Sequence, residues 1–304
     1  MKTDETKYQN LKITSDSLKN LKETSIYFFL KHNNFSETYI NKLRKESEFL
    51  ILNGKPATLK TKIRNGDILQ VATNPTTNTT QILAIDIPLD IIFEDNDYLI
   101  VNKPHNLACM PSQSHYFDNL GGRIVSYMKK SNNFILRIIN RLDKDTAGIV
   151  VIAKNLLAYK NFKFASKEYF ALCEGHFDKT KTTINKPILT INNNGINEMK
   201  RIVSTDGKTA ITHIETIQKF SKHSLIKAIL ETGRTHQIRV HTSSENHALL
   251  YDPIYNPKYK EVPFNNNSHT FLILKKISFI HFQNNKEITL EVPFPDDWIP
   301  FLEQ

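Results

Sequence analysis

The sequence predicts an α+β fold, a mixed and mostly antiparallel sheet with a few helices, preceded by a small helix-plus-hairpin unit. Three observations lead there. Beyond Ile87 the strand-like apolar runs outnumber the helical ones, and their short connections favour antiparallel neighbours over a doubly wound sheet. Before it, Asn53-Gly54 and Asn65-Gly66 punctuate short β-like runs in the manner of tight turns. Between the two, Asn74-Pro75-Thr76-Thr77-Asn78-Thr79-Thr80 is polar and carries no periodicity. A chain of 304 residues with 39% hydrophobic content supports two folded units.

In chain order, residues 1–22 are polar and unpatterned and are expected to form a flexible tail. The opening MKTDETKYQNLKITSD mixes acids with bases and lacks the apolar stretch of a secretory signal. Residues 23–73 form the small unit. Ile26, Phe28, Phe29 and Leu30 supply one helix, Phe35-Ser36-Glu37-Thr38 reads as a turn with a cap, and Tyr39, Ile40 and Leu43 continue at helical spacing. Two short strands follow, one through Phe49-Leu50-Ile51-Leu52 and one through Ile68-Leu69-Gln70-Val71. Residues 74–86 are expected to be a linker, and 87–304 a single larger domain. Its strands are predicted at 98–102, 148–154, 169–174, 200–205, 209–217, 224–231, 271–282 and 287–292, its helices at 124–130, 156–166 and 235–244.

Composition narrows the function classes. A formal net charge of +9 favours a polyanionic partner. No apolar run approaches the ~20 residues that span a bilayer. Cys109 and Cys173 come without a CxxC or other metal-type spacing, so neither a disulfide scaffold nor a zinc site is expected, and a reducing cytoplasm is the expected location.

Two polar segments carry the chemistry. The first is Asn140-Arg141-Leu142-Asp143-Lys144-Asp145-Thr146-Ala147-Gly148, which runs into the apolar Ile149-Val150-Val151-Ile152-Ala153. A carboxylate and a guanidinium two residues apart are thus anchored on a strand that must be buried. Simple capping of a strand entrance is the plain alternative. The second is Glu231-Thr232-Gly233-Arg234-Thr235-His236-Gln237-Ile238-Arg239-Val240-His241, dense in donors beside a glycine. His236 and His241 make a poor metal pair, because their spacing is wrong and no carboxylate completes a set. The chain has only nine glycines, yet one closes the first segment and one opens the second, which suggests backbone positions that accept nothing larger.

With Tyr98-Leu99-Ile100-Val101-Asn102-Lys103-Pro104 ahead of them and Lys167-Glu168-Tyr169-Phe170-Ala171 between them, these segments resemble the RluA-type family of RNA pseudouridine synthases over residues 87–295. The resemblance implies a mixed, mostly antiparallel sheet with a central RNA cleft. It makes Asp143 the catalytic aspartate, Arg141 the arginine that helps replace a flipped-out nucleotide, and Tyr169 the tyrosine that packs on the uracil. Arg239 would pair with the aspartate. Arg234, His236, Gln237 and Lys103 are further candidate RNA contacts. In residues 24–71, LILNGK followed by IRNGDIL resembles the small RNA-binding domain first described in ribosomal small-subunit protein four, with Glu37 where that family usually has Arg. Four further departures bear on substrate preference and on hydrogen bonds near the aspartate. Asn140 stands for His, Ala147 for Ser, Leu272-Ile273-Leu274 for Leu-His-Ala, and Tyr251 for the Gly before Asp252.

The implied reaction breaks the bond between uracil and ribose, turns the base, and rejoins it through carbon 5. An ionised Asp143 would act as nucleophile or base, and a neighbouring Arg239 would favour its charged form. Tyr169 would offset part of the unstacking of the flipped base. No cofactor or metal is expected, nor a membrane partner. A bacterial monomer acting on RNA is expected, with large-subunit ribosomal RNA ahead of transfer RNA. The competing readings are a transfer-RNA enzyme and a non-enzymatic RNA-binding or ribosome-assembly factor that keeps the fold. A sugar hydrolase using Asp143 and Asp145 fits poorly, since carboxylates two apart in one loop can hardly flank a glycosidic bond. Trp298 is read as a core anchor rather than a base platform, and Lys129-Lys130 as the exposed end of a helix.

Overall fold

The structure, a computed structural model, describes residues 8–33, 35, 37–44, 49–72, 82–112, 115–128, 134–191, 200–261 and 269–303. In the small unit, β1 (Tyr8–Lys12), α1 (Ser15–Leu18), α2 (Ile26–His32) and α3 (Glu37–Leu43) precede β2 (Leu50–Leu52), β3 (Lys55–Pro56) and β4 (Ile68–Ala72). The strands form an antiparallel sheet in the order β1-β4-β2-β3. Asn53 and Gly54, at φ 50° and 78°, adopt the left-handed conformation that a two-residue hairpin turn requires. Ile26, Phe29 and Leu30 of α2 close against Ile40, Leu43, Leu50 and Leu69, all buried.

The expected tail is corrected from Tyr8 onward. Strand β1 pairs with β4 from Tyr8↔Ala72 to Lys12↔Ile68, and Ile13 is wholly buried. Its partner lies beyond the helices and the hairpin in sequence, so no local pattern announces the pairing. Residues 1–7, Ser36, Lys129 and Lys130 lie outside the described residues, as does 74–81 of the expected linker. The end of that linker belongs to the larger unit, because Ile85 is buried and its N–H donates to Gly122 O at 3.0 Å. Leu156, Leu157 and Phe282 of the larger unit pack onto the small core.

The larger unit runs β5 (Ile91–Glu94), β6 (Tyr98–Lys103), α4 (Leu120–Met128), β7 (Ala147–Ala153), α5 (Leu156–Asn161), β8 (Phe164–Glu174), β9 (Lys181–Asn185), β10 (Ile188–Ile191) and β11 (Lys200–Val203). It continues with β12 (Ile211–Lys219), β13 (His223–Leu230), α6 (Gln237–Ser244), β14 (Leu272–Ile280), β15 (Glu287–Glu291) and α7 (Ile299–Leu302). Among the described residues the main sheet is nine-stranded, ordered β5-β6-β7-β14-β8-β13-β12-β9, with β15 beside β14. Every ladder in it is antiparallel except β7 with β14. The fold is therefore the mixed, mostly antiparallel α+β architecture that the sequence predicts.

Burial explains which runs became strands. Tyr98 to Val101 and Ile149 to Ala153 are wholly buried, as expected for central strands covered on both faces. The helix expected over 156–166 stops at Asn161, because Phe162 turns to an extended backbone at φ −68° and ψ 131°. Phe162 then packs on Tyr98 and Phe279, at ring separations of 5.3 and 4.9 Å. Trp298 is wholly buried against Phe271 and Phe294, a core anchor. Among the described residues no helix is long and apolar enough to cross a membrane.

Candidate active site

The loop carrying Asp143 is fastened from beneath. Asn140 donates Nδ2–H to Ile149 O at 2.9 Å and accepts Val151 N–H at 2.9 Å, so its amide acts as a rung on β7. Leu142 is buried and exchanges two contacts with the Cys109 thiol, at 3.2 and 3.3 Å. Thr146 N–H closes the turn on Asp143 O at 3.1 Å. Gly148 then sits at φ 110°, where an added Cβ would lie 2.3 Å from Leu274 O. Only glycine permits that approach, and it is what brings β7 against β14. Gly233 is different: its surroundings are open within 4 Å, so the expected steric demand applies to one of the two glycines only.

Lys103 corrects an expectation. It is wholly buried, and its ammonium donates to Pro104 O, Leu107 O and Lys144 O at 2.8, 2.8 and 3.0 Å. All three protons are therefore committed, and Lys103 braces the aspartate loop instead of contacting RNA. Burial pulls its pKa down to about 8, against the opposing pull of Cys109, Asp145 and Asp143. His105 adds a second brace, its Nδ1 lying 3.1 Å from Asp145 O. Burial and the ring of His269, stacked at 3.5 Å, hold His105 neutral with a pKa lowered to about 4. The resulting side-chain exposures are 30% for Asp143 and 22% for Asp145, while Arg141 is exposed at the rim.

The second polar segment turns much of its chemistry inward. Gln237 Oε1 accepts from Thr232 Oγ1 and Arg234 N, and its Nε2 donates to Ile211 O and Thr212 Oγ1, all within 3.0 Å. An amide with its hydrogen-bonding positions so filled is an internal tie, set at the cavity wall. Arg239 is 1% exposed and grips both oxygens of the wholly buried Asp252, through Nε at 2.7 Å and Nη2 at 2.8 Å. Its Nη1 lies 3.9 Å from Asp145 Oδ2. The expected Arg239–Asp143 pair is thus corrected: Asp252 is the direct partner, while Asp143 and Asp145 act on the guanidinium through space. The competing carboxylate wins because Asp252 is buried and fixed by backbone N–H groups of Ile254 and Tyr255, at 2.9 and 3.0 Å.

His236 is the member of this segment that approaches the aspartate, with Nε2 3.9 Å from Asp143 Oδ2. The helix expected from Thr235 begins at Gln237, since His236 takes a left-handed conformation at φ 57° and ψ 19°. Arg234 is exposed and donates Nε–H to Thr209 O at 3.0 Å.

These elements surround a cavity of about 660 Å³, lined among others by Arg141, Asp143, Lys167, Tyr169, Arg234 and His236. Tyr169 enters from the central strand β8, between Ala228 of β13 and Leu274 of β14. Burial and the nearby Asp143 push its phenol pKa well up, so it stays neutral. Lys167 is a cavity cation that the sequence reading did not single out. The available signal was its position two residues before Tyr169, which puts both on one face of the strand. Its Nζ lies over the Phe164 ring at 5.0 Å, and burial lowers its pKa.

Among the described residues two further clusters gather metal-type side chains, His105 with His269 and Asp297, and Asp95 with Asp97 and His281. In the first the imidazoles stack at 22°, so their in-plane lone pairs run side by side and converge poorly on one ion. In the second both Asp97 oxygens already accept from Asn155 and Gln283, at 2.7 Å each.

Residues 97–244 match the model of the RNA pseudouridylate synthase family. An RNA pseudouridine synthase from Bacillus subtilis (strain 168), YlyB, described as uncharacterized, is 31% identical over 89% of this chain and 90% of its own length. Ribosomal large subunit pseudouridine synthase D of Neisseria meningitidis serogroup A is 32% identical over 82% of this chain and 69% of its own. Human RNA Pseudouridylate Synthase Domain Containing 1 shares the fold, with a TM-score of 0.55 and 21% identity over 71% of this chain and 86% of that one. On these grounds the chain belongs to the RluA-type family of RNA pseudouridine synthases and is an enzyme of that activity.

Proposed function

We propose that this enzyme isomerises one or more uridines of large-subunit ribosomal RNA, with Asp143 as the reactive carboxylate and the target base flipped into the cavity beside Tyr169. The observation that carries the reading is that Asp143 and Tyr169, on different elements, line one cavity of about 660 Å³. A uracil in that space would meet the carboxylate on one side and the aromatic ring on the other. Extraction of a base from its stack costs a few kcal/mol, and stacking on an aromatic ring returns about 1–3 kcal/mol of it.

Asp143 would attack the ribose or abstract a proton from it once the bond to uracil nitrogen loosens. Tyr169, kept neutral, would hold the freed base while it turns to present carbon 5. Arg141, at the exposed rim, would occupy the space the nucleotide leaves and lie along the phosphate path with Arg234 and Lys167.

The choice of ribosomal RNA is supported by the relatives whose names carry that substrate, including the enzyme of Neisseria meningitidis. In the small unit Lys55, Lys60 and Arg64 are exposed near the hairpin and its following loop, which suits an accessory RNA contact. Glu37, where a basic residue was the family expectation, is paired with Lys31 at 2.7 Å and neutralises that part of the surface.

Mapping pseudouridines in ribosomal and transfer RNA from a deletion strain tests the proposal. Sites in large-subunit RNA should vanish, return with the wild-type gene, and stay absent with Asp143→Asn. Loss confined to transfer RNA would overturn the substrate, and restoration by Asp143→Asn would overturn the role of the carboxylate.

A further inference from the structure

We propose that His236 is a positioning residue for Asp143, locked by Tyr255 in the tautomer that carries its hydrogen on Nε2. The inference deepens the proposed role of Asp143 and rests on it.

Tyr255 oxygen accepts the backbone N–H of Arg201 at 3.1 Å, so its own hydrogen is available to another acceptor. The Nδ1 of His236 lies 3.0 Å away. Tyr255 is only 8% exposed, and a buried phenol seeks a partner for its O–H. If Nδ1 accepts, the one hydrogen of a neutral imidazole must sit on Nε2. That is the atom that faces Asp143 Oδ2 at 3.9 Å.

Neutrality follows from the surroundings. Asp143 and Asp252 face His236 on the acidic side, Arg239 and Arg201 on the basic side, and burial is the largest influence, lowering the pKa. A neutral N–H donor can orient a carboxylate without protonating it. The 3.9 Å gap exceeds hydrogen-bonding distance, and such contacts tighten when substrate closes a site.

The rest of the Arg239 network serves this arrangement. Asp252 holds the backbone N–H of Tyr255 at 3.0 Å, and the Arg239 guanidinium lies 5.3 Å from the Tyr255 ring centre. The His236 ring meets Tyr255 edge-on, at 82° and 5.7 Å. His236 pays for its place with a left-handed backbone at a helix N-cap, where its side chain makes no capping bond. A left-handed backbone at a residue other than glycine is uncommon, and its place beside Asp143 points to function.

The experiment uses the full chain, and total RNA labelled with [5-³H]uridine from cells lacking the enzyme. Gln places an amide N–H near the distal Nε2 position, whereas Asn reproduces only the proximal Nδ1 position. The left-handed backbone prefers Asn, so a merely structural role ranks His236→Asn above His236→Gln. Our inference ranks them the other way. Tritium release in single turnover should fall less than about 10-fold for His236→Gln, and about 100-fold or more for His236→Asn and His236→Ala, while RNA affinity changes less than about 3-fold. Nitrogen-15 spectra of the imidazoles should show the Nε2–H tautomer for His236, and a mixture in Tyr255→Phe.

An Nδ1–H tautomer in the wild type, or an Asn variant as fast as the Gln variant, would overturn the inference. Asp143→Asn separates the two readings. If that variant is active, the role of Asp143 fails; if it is inactive while every His236 variant runs at the wild-type rate, only the present inference fails.

Discussion

Two polar loops meet at the cavity, and in sequence they look equally suited to touch a substrate. Around Asp143 the support comes from outside the loop: Lys103, His105 and Cys109 hold its backbone, which leaves the side chains of Arg141 and Asp143 accessible. In the segment from Arg234 to Arg239 the support comes from the motif itself. Gln237 and Arg239 are buried and bonded internally, and of the segment's basic side chains Arg234 and His236 line the cavity. Density of polar residues therefore marks an important loop without saying which of its side chains face the ligand. A loop braced by borrowed groups can present its own; a loop that braces itself cannot present them all.

Substitutions that attack the bracing should break this contrast most severely. Gly148→Ala places a methyl group 2.3 Å from Leu274 O at a left-handed φ of 110°. We expect a loss above about 4 kcal/mol, seen as failure to accumulate folded protein, whereas Gly233→Ala should stay within about 0.5 kcal/mol. Comparable stability for the two variants would remove the distinction drawn between the glycines.

Asp252→Ala comes next. It leaves the Arg239 guanidinium, 1% exposed, without its bidentate partner, at an expected cost of about 3–5 kcal/mol in urea unfolding. A variant that keeps wild-type stability would show that the self-bracing is dispensable.

Lys103→Met should cost about 1–3 kcal/mol, because three buried carbonyl oxygens lose their donor. The difference from wild type should also depend on pH. Lys103 titrates at about 8 in the folded chain against 10.5 ordinarily. Between those values the unfolded chain holds a proton that the folded chain has released, so wild-type stability rises relative to the Met variant as pH climbs from about 8 to 10.5. A pH-independent difference would place the ammonium in a more solvated setting than the one described.

The smallest structural effect belongs to the exposed rim. Arg141→Ala should leave stability within about 0.5 kcal/mol. Its mark should appear in binding, as a drop of about 0.7–0.9 in the slope of log affinity against log salt for RNA. An unchanged slope would exclude Arg141 from the phosphate path.

Much of this was legible beforehand. The buried strand after Gly148, the antiparallel preference and the Asn53-Gly54 turn follow from periodicity and turn chemistry, which are local. Asp143, Tyr169, Arg141, Arg234 and His236, which stand out in the motifs, all line one cavity. Strand β1 is not legible because its partner is distant in sequence, and Lys167 because a strand lysine is ordinarily solvated and only the tertiary fold sets it on the cavity. Lys103 misled, since a lysine at a strand end is ordinarily solvated, and nothing in its own segment reveals the carbonyl of Lys144 waiting for it. Asn140, a departure from the family's His, proves to be a strand-like rung on β7, a role any single-sequence reading would miss.

By itself the sequence determined the fold class, the enzyme family and the residue types gathered at the cavity. These depend on local spacing and on motif order, both of which survive without three dimensions. The tertiary structure alone decided which carboxylate holds Arg239, which polar groups are used up internally, and which nitrogen of His236 faces Asp143. Those outcomes depend on competition among groups far apart in sequence, and burial settles each one by making an unpaired polar atom too costly to leave.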